Sequence, residues 1–176
     1  MSLRRGVISL VGVLLVLLDA ATATAGERLV FVGDVLLSRQ VADELDARRG
    51  ADPWAQMGAF FRSADFVMGN LEGAVGRPEE CRSPAGLGGA SPCFAVASAR
   101  VALLRTAGFR ALSIENNHAG DLGETGRDTT RRALRTAGVH PLTFADAPAF
   151  ARVGGLVIAL VAVNHLSVSF RQACVN

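Results

Sequence analysis

The chain has 176 residues, half of them hydrophobic and 19% charged, with a formal net charge of +2 at pH 7. Every cation is arginine, and setting aside residues 1–25 leaves a net charge of +1. So even a balance excludes a nucleic-acid binder working through a broad basic face, and the remaining 151 residues are enough for one domain with a real core.

Residues 1–25 read as a secretory signal peptide. Arg4-Arg5 form the basic start, residues 7–18 the apolar stretch, and Ala23-Thr24-Ala25 a small-residue cleavage site. The apolar stretch is short for a membrane span, so an uncleaved anchor is the alternative and the only membrane contact expected. Twin-arginine export is a poor match, because Gly6-Val7 follows the arginine pair.

Downstream, Leu29-Val30-Phe31-Val32 predicts a buried strand ending at Gly33-Asp34. Helical patterns follow over residues 40–48 and 54–62, the second behind an Asp52-Pro53 cap. Phe66-Val67-Met68 predicts a second strand broken by Gly69-Asn70. Cys81 and Cys93 flank a Gly- and Pro-rich loop, where an oxidising compartment would allow pairing worth roughly 3 kcal/mol; two free thiols are the alternative. Cys174 is left over. Ser98 is placed to cap a helix running to Ala107, with Gly108 as a left-handed stop. A third strand is expected over 109–114, a helix over 125–137 closed by Gly138, and a fourth, most apolar strand over 156–163. Strands alternating with helices predict a layered α/β domain with largely buried strands.

The chemistry gathers where strands break into loops. Asp34 would be held rigidly by the sheet while facing the cleft at the strands' carboxyl ends, and Gly33 would let the backbone turn or approach a ligand. Asn70 and Glu72, two residues apart, could turn amide and carboxylate oxygens toward one ion. In Asn116-Asn117-His118 an asparagine oxygen is a neutral metal ligand and the imidazole a candidate general acid, with Asp121 placed to orient it. Ordinary turn chemistry is the alternative at each of these sites. His140, ahead of Pro141, reads as a loop residue, and His165 as a structural histidine.

These segments resemble the bacterial capsule-synthesis proteins of CapA type, associated with poly-γ-glutamate export and capsule assembly. The resemblance runs through Phe31-Val32-Gly33-Asp34-Val35-Leu36-Leu37-Ser38-Arg39 and Ala64-Asp65-Phe66-Val67-Met68-Gly69-Asn70-Leu71-Glu72-Gly73. It continues in Leu103-Leu104-Arg105-Thr106-Ala107-Gly108-Phe109, Ile114-Glu115-Asn116-Asn117-His118 and Asp121-Leu122-Gly123-Glu124-Thr125-Gly126. It implies a layered fold similar to the calcineurin-like metallophosphoesterases, with helices around mixed β-sheets and a two-metal centre. By that likeness Asp34 would bind one metal, Glu72 would bridge, Asn117 would bind the second metal and His118 would be the catalytic acid. Manganese, iron or zinc suits such ligands, and the chain would act on an envelope polymer or a phosphate ester beside other capsule-assembly proteins. The resemblance also implies later histidine motifs, one of His-Trp-Gly type. None occurs here, so residues 26–176 are expected to form the N-terminal portion of the fold, C-terminally truncated, with about half of the site. A non-enzymatic polymer- or partner-binding factor, and a decayed gene fragment, are the competing expectations.

Overall fold

A computed structural model describes residues 26–48, 51–81 and 92–164. The expected signal peptide, His165 and Cys174 lie outside the described residues.

Four parallel strands, β1 (Leu29–Val35), β2 (Phe66–Leu71), β5 (Ala111–Ser113) and β6 (His140–Leu142), form one sheet in that order. Between β2 and β5, the two-residue strands β3 (Ala74–Val75) and β4 (Ala95–Val96) pair with each other. An antiparallel hairpin of β7 (Ala149–Val153) and β8 (Leu156–Leu160) follows. The helices are α1 (Arg39–Ala47), α2 (Gly58–Arg62), α3 (Val101–Ala107) and α4 (Gly123–Thr136).

Side-chain alternation along the strands sorts the core into two layers. Val30, Val67 and Leu112 point to the face where Phe61 of α2, Leu104 of α3 and Leu134 of α4 pack, with Leu45 of α1 at its margin. Phe109 is fully buried there, with Trp54 edge-on at 5.8 Å and Phe61 at 5.6 Å between ring centroids. Phe66 and Ala111 point to the other face, where Val153 and Leu160 of the hairpin cover them. This is the layered α/β architecture expected.

Several local expectations are corrected. β1 and β2 do not stop at their glycines, and both run on to carry Asp34 and Asn70 inside the sheet. Phe31 pairs with Met68 but Asp34 pairs with Asn70, so β1 holds one extra residue, a bulge. That bulge sets Asp34, and not Gly33, opposite Asn70. A Cβ on Gly33 would meet open space. A Cβ on Gly69 would lie 2.7 Å from Val32 Cγ2 and 3.3 Å from the Gly33 carbonyl, so Gly69 is the residue that accommodates the bulge.

Ser98 makes no capping hydrogen bond, and α3 is entered through a 3-10 turn at Ser98–Arg100. Gly108 does stop that helix, at φ 113°. Of the helix expected over 54–62 only Gly58–Arg62 forms; turns precede it, and Asp52 accepts the Trp54 N–H at 2.9 Å. His140 lies in β6, an edge strand where the missing N–H of Pro141 costs no inner ladder bond. The apolar run from 156 is not a buried sheet strand: β8 belongs to the hairpin, and Leu156 and Val157 stay exposed. Short apolar runs carry no signal for which sheet they join.

Candidate functional site

The parallel register aligns Asp34, Asn70 and Ser113 in one row across the carboxyl ends of β1, β2 and β5. The loops leaving this row carry the polar groups, as expected for an open parallel sheet.

Asn70 is the hub. Its amide nitrogen donates to Asp34 Oδ1 at 2.8 Å and to Glu72 Oε2 at 2.7 Å. Its oxygen accepts from Asn116 Nδ2 at 2.9 Å, and that same nitrogen donates to the Leu71 carbonyl at 2.8 Å. As the amide stands, Asn70 therefore brackets the two carboxylates, with its oxygen engaged by Asn116. Asn116 is buried, and its own oxygen accepts the His118 backbone N–H at 3.0 Å, which fixes where the following loop begins.

His118 then faces two carboxylates. Its Nδ1 lies 2.9 Å from Asp121 Oδ2, and its Nε2 lies 3.8 Å from Glu72 Oε1. Proton placement follows from the partners: an anionic oxygen beside Nδ1 holds the proton there and leaves Nε2 turned toward the site. The three side chains are only 12–15% exposed. Burial raises the Glu72 carboxyl above its ordinary value; the Asn70 hydrogen bond opposes this, and the charges of Asp34 and Asp121 add to it against His118.

The structure thus brings Asp34, Asn70, Glu72, His118 and Asp121 together. Asn117 sits on the same loop, exposed, with no side-chain hydrogen bond among the described residues. Two contributors were missed from sequence. Asn116 stood inside the sharpest motif, but only the fold shows that it, and not Asn117, ties the loop to β2. Phe94 stacks on the His118 ring at 3.8 Å with 18° between planes, and nothing in its local sequence signals this.

Asp34 and Glu72 are the carboxylates that could serve a divalent ion. They converge on one amide nitrogen, and His118, not an arginine, is the basic group among those that shift Glu72. Among the described residues no group of three or more His, Cys, Asp or Glu side chains is placed to hold a metal ion.

A parallel sheet with a helical layer on one face, and oxygen and imidazole groups at its strand ends, defines a layered α/β protein. The profile described as bacterial capsule synthesis protein PGA_cap matches residues 28–174, and the chain belongs to that family. It is a CapA-like capsule-biosynthesis protein in that sense. A search of curated proteins returns no match.

Proposed function

We propose that this chain is an exported capsule-biosynthesis protein whose strand-end site performs metal-assisted phosphoester hydrolysis on an envelope polymer or its precursor. The observation that carries the reading is the single bonded network from Asp34 through Asn70, Glu72 and Asn116 to His118 and Asp121, in a chain of this family. Export is supported by the leader pattern in residues 1–25 and by the Cys81–Cys93 disulfide, a bond that persists in oxidising compartments.

Asp34 and Glu72, with Asn117 as a neutral third donor, would hold a manganese, iron or zinc ion; a second ion would need further ligands. A bound ion supplies Lewis-acid polarisation of a phosphoryl oxygen and an acidified water. Asn70 keeps the two carboxylates from swinging apart, and Asn116 keeps Asn70 in place. His118, held at Nδ1 by Asp121 with Nε2 turned toward the site, would serve as the general acid that gives a proton to the leaving oxygen.

The test is hydrolysis of p-nitrophenyl phosphate by the purified mature chain, with manganese, iron or zinc added to chelator-treated protein. Asp34→Ala should abolish the metal-stimulated rate, and His118→Ala should lower it by roughly 10²–10⁴-fold. Metal binding can be read separately by calorimetry on the same samples. A chain that shows no metal-stimulated hydrolysis, yet retains an acidic polymer in both variants, is a capsule-assembly binding factor. The partial donor set is the observation favouring that second reading.

A further inference from the structure

We propose that Phe94 is a positioning residue for the His118–Asp121 pair, and that the Cys81–Cys93 disulfide makes the geometry of that pair depend on thiol oxidation. The catalytic consequence rests on the function proposed above, but the geometry itself does not.

Phe94 is gripped at three points. Its backbone N–H donates at 2.7 Å to Asp121 Oδ2, the same oxygen that meets His118 Nδ1 at 2.9 Å. Its carbonyl accepts the Ala74 N–H at 2.9 Å, where β3 and β4 begin to pair. Its ring lies flat on the imidazole. Gly73, at φ 142°, permits this seating, because a Cβ there would collide with the Phe94 carbonyl oxygen. On the outer side the Arg39 guanidinium lies over the Phe94 ring, 5.5 Å from its centroid.

The chemistry explains why such a shelf matters. One hydrogen bond at Nδ1 fixes a single atom of the imidazole, and the ring plane can still swing about it. That swing would carry Nε2 away from Glu72, now 3.8 Å distant. A second ring stacked at contact distance removes the freedom. Among the described residues no hydrogen bond joins Phe94 to Asp34, Glu72 or Asn117, so its effect passes through His118 and Asp121.

The neighbouring residue is Cys93, bonded to Cys81. Both cysteines pack on the small cluster of Ala74, Ala95 and Leu122, and Leu122 directly follows Asp121. The disulfide therefore ties the segment that presents the shelf to the turn ending at Cys81, and both cysteines pack against Leu122, next to the orienting carboxylate. A dithiol that reduces it breaks the S–S bond, leaves two thiols on Cys81 and Cys93, and closes to its own disulfide. The covalent tie is then gone, and two pairs of β3–β4 residues and two hydrogen bonds are left to hold Phe94.

The experiment follows the imidazole protons of His118 by proton–carbon NMR at one fixed pH, assigned by their loss in His118→Asn. In the oxidised protein the stacked ring should shift them upfield of their position in Phe94→Leu, and Phe94→Tyr should keep the shift. Dithiothreitol, or the Cys81→Ser/Cys93→Ser double variant, should move them toward the Phe94→Leu position while circular dichroism stays native. Unchanged resonances after full reduction overturn the proposal, and so does global unfolding, which would make the bond a support of the whole fold. Where hydrolysis is measurable, the reduced protein should lose roughly 10–100-fold in kcat with KM unchanged. A total absence of hydrolysis in the oxidised protein counts against the proposed activity alone, and the imidazole shifts still decide the positioning role.

Discussion

Burial holds the Glu72 carboxyl above its ordinary range, with Asp34 and Asp121 adding to the shift. A raised carboxyl is one whose protonated form the fold prefers. Its contribution to stability is therefore fully present below the ordinary Glu value and is lost as pH rises through the shifted one. At neutral pH, without a metal ion, ionised Glu72 is a net cost. Glu72→Gln, which keeps the hydrogen-bonding size and drops the charge, should then melt higher than the parent in the presence of a chelator, by roughly 2 °C or more at pH 7. The gap should close near pH 4, where the parent carboxyl is also neutral. Equal melting temperatures at pH 7 would show that the site pays nothing for its charge. Manganese should reverse the order, because the parent gains binding free energy that the variant lacks. Asp34, Asn70, Glu72, His118 and Asp121 were all readable as chemistry-bearing residues, because strand-end glycines, amides and carboxylates stand out against an apolar run. Asn116 and Phe94 were not, since their roles are contacts with residues 46 and 24 positions away.

Among the elements, the β1 bulge does most to build the site, because it sets Asp34 beside Asn70. Its tolerance depends on Gly69, whose absent side chain leaves room for Val32 and the Gly33 carbonyl. Gly69→Ala should destabilise the protein by about 1–3 kcal/mol through overpacking, measured by urea unfolding, and should weaken metal binding as the two strands part. A neutral substitution would mean the bulge relaxes freely. At α4, buried Thr130 accepts the Val75 N–H at 2.8 Å and donates to the Gly126 carbonyl at 2.7 Å. It thereby locks β3 to the helix. Thr130→Val keeps the shape and strands the Val75 N–H, so a loss of about 1–3 kcal/mol is expected. The order of β1, α1, β2, α3, β5 and α4 was legible from apolar periodicity and from Gly108. β6 and β7 were not, being short and interrupted by Pro141 or by polar residues that carry no strand signal of their own.

For the whole molecule, the disulfide closes a loop with a sequence separation of 12 residues. The loop-entropy model gives it roughly 3 kcal/mol. Reduction should then lower the urea midpoint by roughly 1–3 M while leaving a folded protein, since the two main core clusters contain neither cysteine. A midpoint that does not move would show that the unfolded chain is already restricted in that region. The hairpin face presents another whole-molecule feature: Phe150, Leu156 and Val157 remain exposed while Val153 and Leu160 cover the sheet. Among the described residues no helix is long and apolar enough to cross a membrane.

The layered α/β class, most of the helices and most of the site's residue types were determined by sequence alone. They rest on local physics: strand and helix periodicity, glycine stops, and the scarcity of reasons to place amides and carboxylates beside buried strands. Tertiary structure decided the rest. It chose which residue of Gly33-Asp34 faces Asn70, which of two adjacent asparagines ties the loop down, which ring lies on His118, and which layer the last apolar run joins. Each of those is a pairing between segments far apart in the chain, set by register and packing, and no stretch of sequence contains its own partner.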